Sequence, residues 1–118
     1  MTKMNEGRLL RIFLGESDRH EGVPLFEWIV REARRKGLAG ATVLRGLMGY
    51  GAHSELHTAK ILSLSSDLPV VVEIVDGADA IESFLAALDG VVDGGLATVE
   101  KVRLLPLRGA GTERDSRR

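Results

Sequence analysis

The chain has no cysteine. Disulfides, thiolate metal sites and thiol nucleophiles are excluded with it. No apolar run approaches the roughly 18–20 residues that cross a bilayer. Residues 1–11 hold no apolar segment ahead of a small-residue cleavage site, so no secretory signal is expected and the cytoplasm is the expected location. Neither sign of charge dominates: 16 Lys and Arg stand against 17 Asp and Glu, a net charge of −1 with neutral histidines. The basic excess of a general nucleic-acid binder is missing, and nucleic acid is not an expected partner. There is no P-loop and no dinucleotide-binding fingerprint. What remains is ordinary globular material: 118 residues, 44% hydrophobic and 28% charged, the size of one domain.

The apolar pattern changes period along the chain. Residues 9–14 are a short apolar run with arginines at 8 and 11, read as a strand with Leu10, Ile12 and Leu14 on one face. Residues 16–22 are charged, end in Gly and read as a loop. Pro24 and Gly37 then bracket a helix in the usual Pro-first, Gly-last manner, with Phe26, Ile29, Val30 and Ala33 at helical spacing. Residues 41–44 form a second strand, broken by Gly46, Gly49 and Gly51. A polar stretch, residues 52–58, follows, and residues 61–65 again read as strand. Pro69 marks a bend. Val70, Val71, Val72, Glu73, Ile74 and Val75 give the strongest strand signal. Asp76 is the expected N-cap of a second helix carrying Ile81, Phe84, Leu85 and Leu88 inward, with Asp79 near its positive end. A last strand spans residues 98–105. The expected organisation is a flexible segment 1–7, a folded domain 8–105 and a flexible, arginine-rich tail 106–118.

The order strand, helix, strand, strand, helix, strand gives an α+β, ferredoxin-like βαββαβ sandwich, an antiparallel sheet with both helices on one face. Within 70–75 both alternating sets are apolar: Val70, Val72 and Ile74 on one side, Val71 and Val75 on the other. A sheet with one wet face alternates with polar residues instead. No third layer exists in the chain, so copies of itself are the expected cover, and a homo-oligomer follows. The alternative, Val71 and Val75 beneath a loop, leaves the chain alone.

The run Gly37-Leu38-Ala39-Gly40-Ala41-Thr42-Val43, then Arg45-Gly46-Leu47-Met48-Gly49-Tyr50-Gly51, then Asp67-Leu68-Pro69 and the 70–76 strand resembles the bacterial and archaeal domain-of-unknown-function family 190 over residues 8–105. That family is similar to the nitrogen-regulatory PII signalling proteins: trimers of ferredoxin-like subunits that bind adenine nucleotides between subunits and offer a long loop to a target protein. The resemblance implies a homotrimer, AMP, ADP or ATP as ligand, and an unidentified protein target, with membrane transporters and channels among the candidates. Gly49-Tyr50-Gly51 matches the Gly-aromatic-Gly at the base of the PII loop, and Thr42 resembles the Thr opening that strand. Of the alternating C-terminal arginines that reach phosphate in PII proteins, Arg103 is retained and Leu105 stands where the second is expected. The Gly-rich turn Asp93-Gly94-Gly95-Leu96 has no Lys after it until Lys101, so the phosphate clamp of a triphosphate site is incomplete. Tyr50 lies at the loop base, away from the tyrosine that some PII proteins have uridylylated.

Taken alone, glycines at such a hairpin read as turn punctuation; with the resemblance they read as a ligand site. Gly46, Gly49 and Gly51 let a ligand approach backbone, and successive amides in such a turn form an anion nest. Arg45 and Lys60 flank it as phosphate partners, and Tyr50 offers a face for a base. The loop residues His53, Ser54, Glu55 and His57 are the expected partner-facing set. A different reading uses His53 and His57, with Glu55, as ligands for zinc or a similar ion. A third is a scaffold without ligand. The acid pairs Asp76 with Asp79 and Glu16 with Asp18 fit capping and solvation. Ser63, Ser65 and Ser66 lack a His–Asp context, so catalysis is not expected. Trp28 reads as packing and His20 as a solvated loop residue.

Overall fold

The computed structural model describes residues 4–51, 57–58 and 67–107. Strand β1 runs Asn5–Gly15, a short hairpin β2 (Arg19–His20) and β3 (Val23–Pro24) follows, and then helix α1, Leu25–Arg35. After it come β4 (Ala41–Arg45), β5 (Met48–Gly49), β6 (His57–Thr58), β7 (Pro69–Asp76), helix α2 (Ala78–Leu88) and β8 (Leu96–Leu104). The main sheet has the order β4-β7-β1-β8, every neighbour antiparallel. This is the ferredoxin-like α+β arrangement expected from the sequence.

Both helices lie on one face, and the core forms there. Leu10, Ile12 and Leu14 of β1 and Val70, Val72 and Ile74 of β7 are buried against Leu25, Ile29 and Ala33 of α1 and Ile81, Phe84 and Leu88 of α2. The period-two pattern found the inward residues of the strands; of the helical ones Ile29, Ala33, Ile81, Phe84 and Leu88 are buried, Phe26, Val30 and Leu85 only partly, and Leu25 is an addition. Helix α1 ends as its sequence directs. Gly37 takes φ 82°, its N–H reaches Arg34 O, and Leu38 N–H reaches Ala33 O, closing a Schellman motif.

Several expectations are corrected. The 16–22 segment is a hairpin rather than a loop, turning at Glu21 and Gly22, both at positive φ, which suits the twist of flanking strands. Its His20 packs edge-to-face on Trp28 at 4.8 Å. Asp76 is not the N-cap of α2: Gly77 holds that position without a side-chain cap. The Asp76 carboxylate instead accepts the N–H of Gly77 and, across the chain, that of Ala39. Pro69 is not a bend but the first residue of β7, where its missing N–H costs no central ladder bond. Strand β1 starts at Asn5, inside the segment expected to be flexible. His57 and Thr58, assigned to the polar loop, pair with Gly49 and Met48. The strand expected at 61–65, loop residues 52–56 and tail residues 108–118 lie outside the described residues. Among the described residues no helix is long and apolar enough to cross a membrane.

Phe84→Ala removes the largest fully buried side chain and is expected to lower stability by about 3–5 kcal/mol. Gly37→Ala, which forces a Cβ into the left-handed region, should cost about 1 kcal/mol. Urea denaturation of each variant measures both.

Candidate functional site

The sequence-predicted residues fall into two groups at opposite corners of the sheet. At the first corner β4 ends in Arg45, on the helix side of the sheet beside Val70. The chain then turns through Gly46 into β5. Gly46 N–H donates to Pro69 O at 2.7 Å. A Cβ on Gly46 would stand 2.9 Å from Pro69 Cγ, and one on Gly49 3.0 Å from the same atom. The close approach of the Pro69 ring is what calls for glycine at 46. Sequence reasoning had assigned these glycines to ligand approach. Gly51 has open space around it. Leu47, Met48 and Tyr50 project outward, 79%, 59% and 72% exposed, an unusual density of bare apolar surface for one turn.

Among the described residues this corner is acidic. Arg45 is held by Glu16 in an ion pair, and that hydrogen bond raises the guanidinium above its ordinary value. The turn carrying Glu16 is pinned: Glu16 N–H reaches Leu68 O, Ser17 N–H reaches Asp67 Oδ1 and Gly15 N–H reaches Asp18 Oδ2. Glu16 alone pairs with Arg45, whereas the carboxylates of Asp18 and Asp67 hold the backbone of the turn that carries Glu16. An incoming anion must compete with Glu16 for Arg45. Thr42 is not part of the cluster; it stands opposite Glu73, on the sheet face away from the helices.

The second corner is basic. Arg103 lies near the end of β8 opposite Glu6. Two residues earlier Lys101 stands opposite Arg8, on the same face by the period-two rule. Like charges placed directly across a ladder repel one another, and here Asp76, opposite Arg8 on β7, and Glu6, opposite Arg103, offset part of that repulsion, leaving three cations against two carboxylates. Sequence reasoning named Arg103 but neither Arg8 nor Lys101 as its companions. The alternation Lys101–Arg103 was visible, whereas the register that adds Arg8 was not. Arg45 and Arg103 sit on the two outer strands and at opposite ends, about 30 Å apart by strand rise and spacing. One copy of the chain does not bring them together.

His53, Ser54, Glu55 and Lys60 lie outside the described residues, and of His57 only the backbone is described. Among the described residues no group of three or more His, Asp or Glu side chains could hold a metal ion. An apolar groove of about 430 Å³ runs between α2 and β8, lined by Ile12, Leu85, Leu88, Val92 and Ala97 among others. None of the sequence-predicted ligand or loop residues borders it.

Solved structures share this architecture. The PII-like protein CPII of Thiomonas intermedia K12, in a structure bound to ADP, AMP and bicarbonate, superposes with a TM-score of 0.65 at 16% identity, covering 86% of this chain and 91% of that one. A protein of Thermus thermophilus, described as PII-like and signalling, gives 0.62 at 19% identity, with the same coverage. The fold is thus the PII-like form of the ferredoxin-like sandwich. Sequence comparison is more specific. A UPF0166 protein of Aquifex aeolicus is 42% identical over 100 residues, 85% of this chain and 94% of its own. A UPF0166 protein of Methanocaldococcus jannaschii is 36% identical over 89 residues, 75% of this chain and 82% of its own. The model of domain-of-unknown-function family 190, described as "Uncharacterized ACR, COG1993", matches residues 7–104, and the chain belongs to that family.

Gly46→Ala is expected to lose about 1–3 kcal/mol through the overlap with Pro69. Pro69→Ala removes the obstructing Cγ, so the double variant should lose less than the two single changes together. Chemical denaturation of the four proteins provides the cycle.

Proposed function

We propose that the chain is a PII-like sensor that works as a homotrimer, binds an adenine nucleotide such as AMP or ADP between copies, and signals to a protein target through the 52–58 loop. The observation that carries this reading is the split of the candidate residues. Glycine backbone and exposed Tyr50 stand at one corner, whereas Arg8, Lys101 and Arg103 stand at the far one. Only neighbouring copies can join the two. The corners are also opposite in charge, which suits head-to-tail contacts that close into a ring. In such a cleft Tyr50, Leu47 and Met48 offer apolar surface to a purine. The basic side chains of the next copy meet phosphate, and Gly49 and Gly51 admit it close to backbone. Nucleotide bound to CPII in its crystals supports the ligand class. The molecule on this reading is a binding protein of the cytoplasm, not an enzyme, with residues 8–105 as the sensing domain. The ligand moves the loop only as far as it binds the ordered form better than the other.

Thermal melting with AMP, ADP and ATP tests the reading. A ligand at about 100 times its Kd should stabilise by about 2.7 kcal/mol, seen as a concentration-dependent rise in Tm. Lys101→Met and Arg103→Met should each weaken the effect roughly tenfold in ligand concentration, as loss of a charge-assisted contact does. Glu16→Gln should leave or strengthen it. No rise with any nucleotide overturns the proposal.

A further inference from the structure

The sheet face turned away from the helices is striped. One row across the strands is apolar: Leu44, Val71, Phe13 and Leu96. The next row is polar: Thr42, Glu73, Arg11 and Thr98. In the apolar row Phe13 is 38% exposed and Leu96 65%. In the polar row Arg11 Nε donates to Glu73 Oε2 at 2.9 Å, and its Nη1 donates to Glu100 Oε1 of β8 at 2.9 Å. Both helices pack on the other side, so among the described residues nothing of the chain itself covers this face.

We propose that the Arg11–Glu73 pair, with Glu100 at its rim, fixes how copies of this chain register on one another through this face. The inference rests on the homotrimer reading above and assigns the residues that give that assembly a single geometry. Apolar contact alone is non-directional, and a wholly apolar partner would leave the polar row stranded without hydrogen bonds. A second copy brings the same two stripes. It also brings the matching chemistry. A guanidinium has five N–H donors, and the described contacts engage Nε and Nη1 of Arg11. Glu100 is 58% exposed as a side chain and retains acceptor capacity. Arg11 of one copy can therefore take a carboxylate of the next while keeping its own Glu73. The hydrogen bond to Glu73 holds Arg11 above its ordinary value, so the cation persists across the accessible pH range. Removing only the cation leaves carboxylates facing one another in a closing interface. Replacing the whole set by apolar groups leaves adhesion without direction.

The test is the mass of the full chain in solution, by light scattering and native mass spectrometry at micromolar concentration. Circular dichroism confirms that each variant is folded. The wild type is expected as one oligomeric species. Arg11→Glu should shift it to monomer. The variant with Arg11→Leu, Glu73→Leu and Glu100→Leu together should still associate, but as a mixture of masses. A folded Arg11→Glu protein of unchanged mass overturns the inference, as does a triple variant with a single wild-type mass. A wild type that is itself monomeric overturns the homotrimer reading on which the inference rests.

Discussion

A four-stranded sheet has two faces, and this chain supplies helices for one of them. Everything else in the molecule is arranged around that inequality. Leu10, Ile12, Val72 and Ile74 sink into the helical side with essentially no exposure. The same two central strands carry Leu9, Phe13, Val71 and Val75 on the other side, with Arg11 and Glu73 set among them. Burial on the first side stabilises the monomer. The second side keeps exposed apolar surface, with the Arg11–Glu73 ion pair set within it, and the proposed self-association draws on both.

The same architecture divides the candidate site. In the order β4-β7-β1-β8 the outer strands are the second and fourth of the main sheet in chain order. Chemistry placed on β4 and chemistry placed on β8 are consequently held apart by the two central strands. The ion pair between Arg45 and Glu16 adds a further feature: the cation nearest the glycine turn already has an anion of its own. Among the described residues of the two corners, Lys101 and Arg103 of β8 and Arg8 beside them are the cations held in no ion pair. On the proposed reading a cleft made from both corners belongs to an assembly, and its occupancy is linked to assembly by mass action.

Much of this was legible in the sequence. Alternation along 70–75 gave both the buried set and the surplus on the other side. Pro24 and Gly37 bracketed α1, and helical spacing selected Ile29, Ala33, Ile81 and Phe84. The errors share a cause. Asp76 satisfied the local rule for a helix cap, yet its carboxylate was claimed by Ala39, a residue distant in sequence. Pro69 looked like a strand breaker because the propensity rule ignores where in a strand the residue falls. The Glu21–Gly22 turn lacked the usual Asn or Asp signature, and its hairpin is very short.

In the candidate site, Gly46 and Gly49 were found for a reason the structure changes. At Gly46 the lack of a side chain answers the Pro69 ring, a contact that only the folding of β7 beside the turn creates, and at Gly49 the same ring comes nearly as close. Arg8 joins Lys101, and Glu16 joins Arg45, through register and turn packing that no local window contains. Local periodicity and end signals, which depend on neighbours a few residues apart, settled the elements, their inward faces and the surplus of apolar surface. Which charges meet, which corner is acidic and which glycines are sterically required were decided only by the tertiary structure, because those facts are distances between residues far apart in the chain.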